Sequence, residues 1–370
     1  TERMGYWVNL DDAYVTYYPS YIESVWNVIK EVDRQKLLYQ DYKVLPWCPR
    51  CGTALSSHEI AQGYQDIKDL SVYVKFKLDA ESTRKLCGQD AENVYFLAWT
   101  TTPWTLPGNV ALAVGEDIEY DIEELSQKVD SAPETERHLK ETIIFARDLR
   151  DKILSQYADN VSKSVVEGQT TRRTIKGKEL VGLSYEPLFP YLNNIAPDSE
   201  KPKLEKAYKV YAADFVTTTD GTGIVHTAVM YGQDDFVLGT EIGLPKVHLV
   251  DETGHFIKGT GELEGLPVKD KEDNGLATAI VVLKYLQDKG FFFKKESHAH
   301  TYPFCWRCKT PLIYYARTSW YIGMSQLRDT LVKENEKINW VPEHIRGGRF
   351  GEWLREVKDW AFSRERYWGT

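Results

Sequence analysis

The chain has 370 residues, 42% apolar and 27% charged, a balance that can bury a sizeable core and excludes a disordered polymer. With 46 basic against 55 acidic residues, the net charge of −9 argues against a broad basic face for duplex DNA or RNA and leaves room for a narrow site that takes one RNA end. No apolar run reaches the roughly 20 residues that cross a bilayer, and the start lacks the basic-then-apolar pattern of a signal peptide, so a cytoplasmic protein without a membrane segment is expected.

Along the chain, residues 21–38 read as an amphipathic helix, with Ile22, Val25, Trp26, Ile29 and Val32 at helical spacing. The knuckle VLPWCPRCGTALSSHEIAQGY follows. Residues 72–78 then alternate, with Val72, Val74, Phe76 and Leu78 on one face and Tyr73, Lys75 and Lys77 on the other, which predicts a half-buried strand. Val94 to Trp99 reads as a buried strand that runs into the turn TTTPWTLPGN. Residues 126–141 and 193–205 are polar, Pro-containing loops. Between them, Ile143 to Ala146 predicts a strand and 147–157 a helix. GTGIVH (221–226) leaves a glycine turn for a strand, and KVHLV with DETGHF reads as a strand and hairpin. Residues 274–289 predict a helix capped by Asn274, with Leu276, Ile280, Leu283 and Leu286 on one face. A strand-like PLIYYA, a helix near 324–335 and a Trp-rich end complete the chain. The middle is strand-rich, and its flanks share paired cysteines, the pattern of an inserted domain.

Of five cysteines, four form two CxxC knuckles, Cys48-Pro-Arg-Cys51 and Cys305-Trp-Arg-Cys308, and Cys87 stands alone. Two thiolates three residues apart occupy two corners of a zinc tetrahedron, and a second knuckle supplies the other two. The long separation costs only slowly growing loop entropy. A redox pair, or a ligand set that includes His298 or His300, is the alternative. Four thiolates leave no open coordination position, so such a site is structural.

The stretch Trp99-Thr-Thr-Thr-Pro103-Trp-Thr-Leu-Pro-Gly-Asn109 is unusual. Thr suits strands and Pro ends them, which accounts for one or two Thr and poorly for three. A strip of hydroxyls and N–H groups at a strand end can hold a water, a ribose hydroxyl or a developing oxyanion. Further on, His226 follows a glycine turn and precedes Asp234 and Asp235, of which one can cap a helix and the other bind an ammonium. No phosphate-binding GxxxxGK[ST] loop, GxSxG elbow or HExxH pair is present.

Taken together, WTTTPWTLPGN, GTGIVH…GQDDF, CPRCGTALSSHEIAQGY and DWAFSRERYWGT resemble the class I isoleucyl-tRNA synthetases. The resemblance covers nearly the whole chain apart from 126–141 and 193–205. Valyl and leucyl relatives usually carry Thr-Thr-Arg-Pro where this chain has Thr102 before Pro103. The resemblance implies a mixed α/β fold in three parts. Residues 1–64 and 297–370 would be flanking pieces of a Rossmann-type catalytic domain, each with a zinc knuckle. Residues 65–296 would be the editing domain, with a β-barrel-like core and peripheral helices. It also implies an ester hydrolase that removes valine from mischarged tRNA(Ile). Isoleucyl enzymes are the standard example of why editing exists, since one methylene discriminates only about 150-fold.

Carried over by motif, Thr100, Thr101 and Thr102 line the pocket with Trp99, and Thr105 and Asn109 face the substrate from the same turn. His226 stands against the valyl side chain or terminal ribose, and Asp235 holds the α-ammonium. The implied partners are the tRNA 3′ end and the remainder of a longer synthetase. The HIGH and KMSKS signatures of ATP activation are absent, so an excised fragment without a complete ATP site is expected. Val229 replaces the family's usual proline, which puts the rigidity of the loop before Asp235 in question. The competing readings are a catalytically silent zinc-containing tRNA-binding module, a zinc hydrolase, and a degenerate editing domain that acts as a spacer.

Overall fold

A computed structural model describes residues 1–89, 91–128, 138–160 and 172–363. Most of the polar stretch expected at 126–141, and the final RERYWGT, therefore lie outside the described residues. The chain divides into two units, Thr1–Lys43 with Arg317–Thr370, and Val44–Ala316.

Thirteen strands occur among the described residues. They are β1 (Leu38–Cys48), β2 (Thr53–Ala54), β3 (Tyr64–Lys77), β4 (Val94–Thr100), β5 (Ala111–Val114) and β6 (Glu119–Lys128), followed by β7 (His138–Ala146), β8 (Arg172–Lys176), β9 (Lys209–Ala212) and β10 (Ile224–Thr227). The last three are β11 (Phe292–Pro303), β12 (Ile313–Ile322) and β13 (Trp360–Ala361). The mixed α/β class expected from the sequence is what the chain adopts. The barrel-like core takes the form of open sheets, with none closed on itself among the described strands. A six-stranded sheet runs β11-β3-β4-β7-β6-β8 and a three-stranded sheet runs β10-β5-β9.

The six-stranded sheet is the core of the larger unit. Its centre pairs β4 with β7 in parallel, Tyr95 opposite Ile143 and Phe96 opposite Ile144. β4 and the Ile143–Ala146 end of β7 are near-continuous apolar runs, as strands covered on both faces require. Neighbouring β3 is covered on both faces as well. Val72 to Phe76 are all buried, so the half-buried strand expected at 72–78 is corrected. Lys75 is accommodated by an ion pair to Glu141 at 2.7 Å and by the Tyr95 ring, 4.9 Å away. On β6, Asp121 and Glu123 are each 0% exposed. The Arg150 guanidinium grips Glu123 with two bonds of 3.1 and 2.6 Å, and Thr174 donates to Asp121 at 2.6 Å. Buried carboxylates persist only when paired in this way.

Two further expectations change. KVHLV joins no ladder; Val250 alone makes an isolated bridge to Phe256. The helix expected at 274–289 spans Leu276–Asp288, and Asp273 caps it, accepting from the N–H groups of Gly275, Leu276 and Ala277. Asn274 instead donates to Asp69 at 2.6 Å. Leu276 and Ile280 are exposed, and the buried face is made by Thr278, Ala279, Val282, Leu283 and Leu286.

In the smaller unit the first long helix is Pro19–Arg34, started by Pro19 and ended where Lys36 turns to φ 61°. Tyr39 stacks on Tyr321 with centroids 5.3 Å apart and donates its hydroxyl to Asp359 at 2.5 Å. The helix Arg328–Asn335 falls within the span expected near 324–335. No described helix is long and apolar enough to cross a membrane.

Candidate functional site

The site is built where β4 ends. Pro103 stops the strand and starts a 3-10 turn, Pro103–Gly108, which delivers the chain to β5. β5 pairs with β10, Leu112 opposite His226 and Ala111 opposite Thr227. Thr105 and Asn109, four residues apart on the turn, reach the two ring nitrogens of His226. The imidazole Nε2 lies 2.9 Å from Thr105 Oγ1, and Nδ1 lies 3.0 Å from Asn109 Nδ2. The glycine turn before β10 is required by sterics. Gly221 and Gly223 have φ of 76° and 71°, and a Cβ at Gly223 would stand 2.3 Å from the Ala146 methyl.

Thr100 and Thr102 join the same network. Their hydroxyls are 3.2 Å apart, the Thr102 N–H donates to Thr100 Oγ1 at 3.1 Å, and Thr102 Oγ1 is 3.3 Å from Thr105 Oγ1. Thr101 does not. It lines a separate cavity of about 90 Å³ with Lys68, Asp69, Trp104, Lys269 and Asn274, and none of the network residues lines that cavity. There Lys269 pairs with Asp69 at 3.0 Å, and His300 Nε2 is 3.1 Å from the same carboxylate. Burial lowers the Lys269 pKa, and Asp69 opposes that shift. Trp104 Nε1 and Asn274 Oδ1 are buried without a hydrogen-bond partner. Trp99 contributes packing, edge-on to His298 at 5.2 Å and against Tyr73 at 6.3 Å.

Asp235 lies in the first turn of the helix Gln233–Ile242 and accepts from the Ala228 N–H at 3.0 Å. Ala228 is two residues beyond His226, so this bond fastens the carboxylate to the strand that carries the imidazole. Burial pushes the Asp235 carboxyl up to about 7, with the Ala228 N–H working against it and Asp234 adding to it. Burial alone lowers His226 to about 4. The loop before Asp235 is held without proline. Ala228, Val229, Met230 and Tyr231 are all buried, Tyr231 N–H closes a turn onto Ala228 O at 2.9 Å, and Met230 O accepts from Ala316 N–H at 2.9 Å. Val229 packs into space that only Gly239 leaves free, since a Cβ there would sit 2.4 Å from a Val229 methyl.

One contributor gave no local signal. The Tyr185 hydroxyl donates to Asn109 Oδ1 at 2.6 Å across 76 residues of chain. Tyr185 is held by its N–H on Tyr208 O at 2.9 Å and edge-on packing against Phe76.

The two knuckles meet. The sulfurs of Cys48, Cys51, Cys305 and Cys308 lie within 4.8 Å of one another. Cys48 and Cys308 sulfurs are 3.4 Å apart, and those of Cys51 and Cys305 are 4.0 Å apart. A tetrahedron with metal–sulfur bonds near 2.3 Å has edges of roughly 3.8 Å, so this donor set fits one metal ion. The knuckles share a turn, since Gly52 and Lys309, each four residues after a first cysteine, have φ of 59° and 61°. His298 packs on Trp99 and His300 on Asp69, so neither joins the four sulfurs. Cys87 is not among the four either.

Comparison with known proteins follows the same lines. The family model for tRNA synthetases of class I (I, L, M and V) matches residues 1–370. All of the chain aligns with the isoleucine–tRNA ligases of Clostridium tetani at 43% identity, Clostridium novyi at 45% and Thermus thermophilus at 42%. In each case it spans 31% of the relative's length. Among solved structures, the editing domain of the P. knowlesi cytosolic leucyl-tRNA synthetase is 17% identical, with 49% of this chain and 65% of that one covered at a TM-score of 0.32, a likeness too slight to argue from.

Proposed function

The chain belongs to the class I tRNA synthetases, and from that premise we propose that it carries their editing activity, hydrolysing the aminoacyl ester of Val-tRNA(Ile). The observation that carries the reading is the network of Thr100, Thr102, Thr105, Asn109 and His226, a ring of hydroxyl, amide and imidazole groups in which the Thr105 hydroxyl donates to Thr102 O and is therefore not activated as a nucleophile by His226. An aminoacyl ester is already reactive, so positioning and electrostatics suffice for water to attack it.

In this reading Asp235 receives the α-ammonium. Its carboxyl is poised near 7 because it is buried, and an arriving cation makes the charged form the favoured one. The threonine hydroxyls hold the water and the terminal ribose. His226 meets the valyl side chain and leaves no room for isoleucine. In this reading residues 65–296 are the editing domain and residues 1–64 and 297–370 are flanking pieces of the catalytic domain; the unit Val44–Ala316 contains 65–296 together with 44–64 and 297–316, which carry both knuckles. Zinc is the metal we assign to the four cysteines. It would supply a structural cross-link there and take no part in hydrolysis.

Changing Asp235 to Ala tests the assignment. Loss of a buried partner for a charged substrate group should lower kcat/KM for Val-tRNA(Ile) deacylation by about 100-fold. An unchanged rate would remove Asp235 from the site. Tight tRNA binding with no deacylation by the parent chain would favour the silent-module alternative.

A further inference from the structure

We infer that His226 works as a fixed hydrogen-bond donor and apolar wall in one neutral tautomer, and that Tyr185, acting through Asn109, is the positioning residue that sets that tautomer. The inference rests on the editing reading for its consequence and on geometry alone for the tautomer.

Two chains of bonds, each with its direction fixed, converge on the ring. On one side, Asn109 Nδ2 is 2.9 Å from Ala111 O, and a carbonyl oxygen only accepts, so the amide nitrogen faces that way. Turning the amide over would put two oxygens at that distance and take away the acceptor of the Tyr185 hydroxyl at 2.6 Å. Asn109 Nδ2 has a second hydrogen, and it points at His226 Nδ1, 3.0 Å away, so Nδ1 must accept and carries no proton. On the other side, Thr105 Oγ1 has a single hydrogen, which goes to Thr102 O at 2.8 Å. Thr105 Oγ1 must then accept from His226 Nε2 at 2.9 Å, so Nε2 carries the proton. Both arguments give the same neutral ring with its proton on Nε2. A protonated ring would set an N–H against the Asn109 amide N–H.

Two consequences follow for the reaction. Nδ1, the one basic atom of the ring, is occupied, so His226 does not take the proton from the attacking water. Both nitrogens are engaged with protein, so the ring offers only carbon to a ligand. A carbon-edged wall suits an aliphatic side chain such as valine, and a ring locked at both nitrogens cannot swing aside for a larger one. Tyr185 matters because its hydroxyl holds the amide from behind.

The test is the pair of ring-nitrogen shifts of His226 in protein labelled with 15N-histidine, read by long-range 15N–1H correlation at pH 6 to 8. The expected result is a neutral ring with the proton on Nε2. A proton on Nδ1, or an imidazolium, would overturn the inference. Tyr185→Phe keeps the ring packing and removes the donor to Asn109. It should introduce the second tautomer and reduce the preference for Val-tRNA(Ile) over Ile-tRNA(Ile) by about 10-fold, a change of about 1.4 kcal/mol, with little change in KM. Unaltered shifts and unaltered preference would remove Tyr185 from the relay. Asn109→Asp is a second probe that does not depend on the tyrosine. It puts an acceptor opposite Nδ1 and should convert the ring to the imidazolium at pH 6, and a ring that stays neutral would count against the relay. The shifts need no tRNA, so the expected tautomer in a chain that releases no valine would mean that the editing reading has failed and the relay has not.

Discussion

Asp235 joins function and stability at one atom pair. Its carboxyl is raised to about 7 in the folded chain, so the folded state binds the proton more tightly than an ordinary unfolded Asp does. The Asp235 contribution to stability is therefore greatest at acid pH and declines as pH rises from about 4 through 7, while that of His226, lowered to about 4, runs the other way and is lost as pH falls from 6.5 through 4. Asp235→Asn escapes that cost and can still accept from Ala228 N–H. Between pH 5 and 8 it should gain stability relative to the parent by up to a few kcal/mol, and yet be inactive in deacylation. Parallel stability curves for parent and variant in urea would contradict this account. The same shift sets an activity profile. Binding of the α-ammonium needs the carboxylate, so kcat/KM should rise as pH passes about 7 and fall again once the substrate amine, near 8, loses its proton. A flat profile from pH 6 to 8 would argue against the pair. At this scale each motif was legible from its own local spacing, while the meeting of Thr105 and Asn109 with His226, 121 and 117 residues away, was expected only from the family resemblance. Tyr185 was not, since its only link to Asn109 spans 76 residues, and neither was the departure of Thr101 to another cavity.

Elements obeyed apolar periodicity where burial was two-sided or absent, and departed from it where polar groups were buried in pairs. Strand β4 and the Ile143–Ala146 end of β7 were readable as apolar runs. The alternation in β3 suggested one wet face, but Lys75 is buried against Glu141 and Tyr95. The buried acids of β6 carry no local sign either, because Arg150 approaches them from the helix Arg150–Asn160. That clasp predicts a large stability effect. Arg150→Met leaves Glu123 buried without its partner and should cost about 3–5 kcal/mol in urea unfolding. A loss below about 1 kcal/mol would mean that solvent reaches the acids. Asn274 gave way as a cap because Asp69 takes its amide, and Asp273 supplies a carboxylate one residue earlier. The knuckles were readable from spacing alone, since a CxxC turn carries its own geometry. Purified chain should carry about one zinc ion, and Cys48→Ser should release it. Retention of a full complement of metal by that variant would contradict a site of four thiolates.

The whole molecule separates into two units, and the putting-together of sequence-distant pieces is what a single sequence conveys least. Trp47 and Tyr315, for example, pack at 6.3 Å though most of the chain lies between them. The paired knuckles were the one long-range contact that residue spacing alone made visible beforehand, because both ends carry the same motif. The sheet order was not visible, since β4 is placed between β3 and β7 by packing on both faces. The chain spans 31% of the length of its isoleucine–tRNA ligase relatives, so the central claim concerns what this stretch does with an aminoacyl-tRNA. The most direct test is deacylation of Val-tRNA(Ile) beside Ile-tRNA(Ile), with chain concentration raised until the rate no longer responds. The account predicts that valine is released and isoleucine spared. Release of neither, or of both at equal rates, would contradict it.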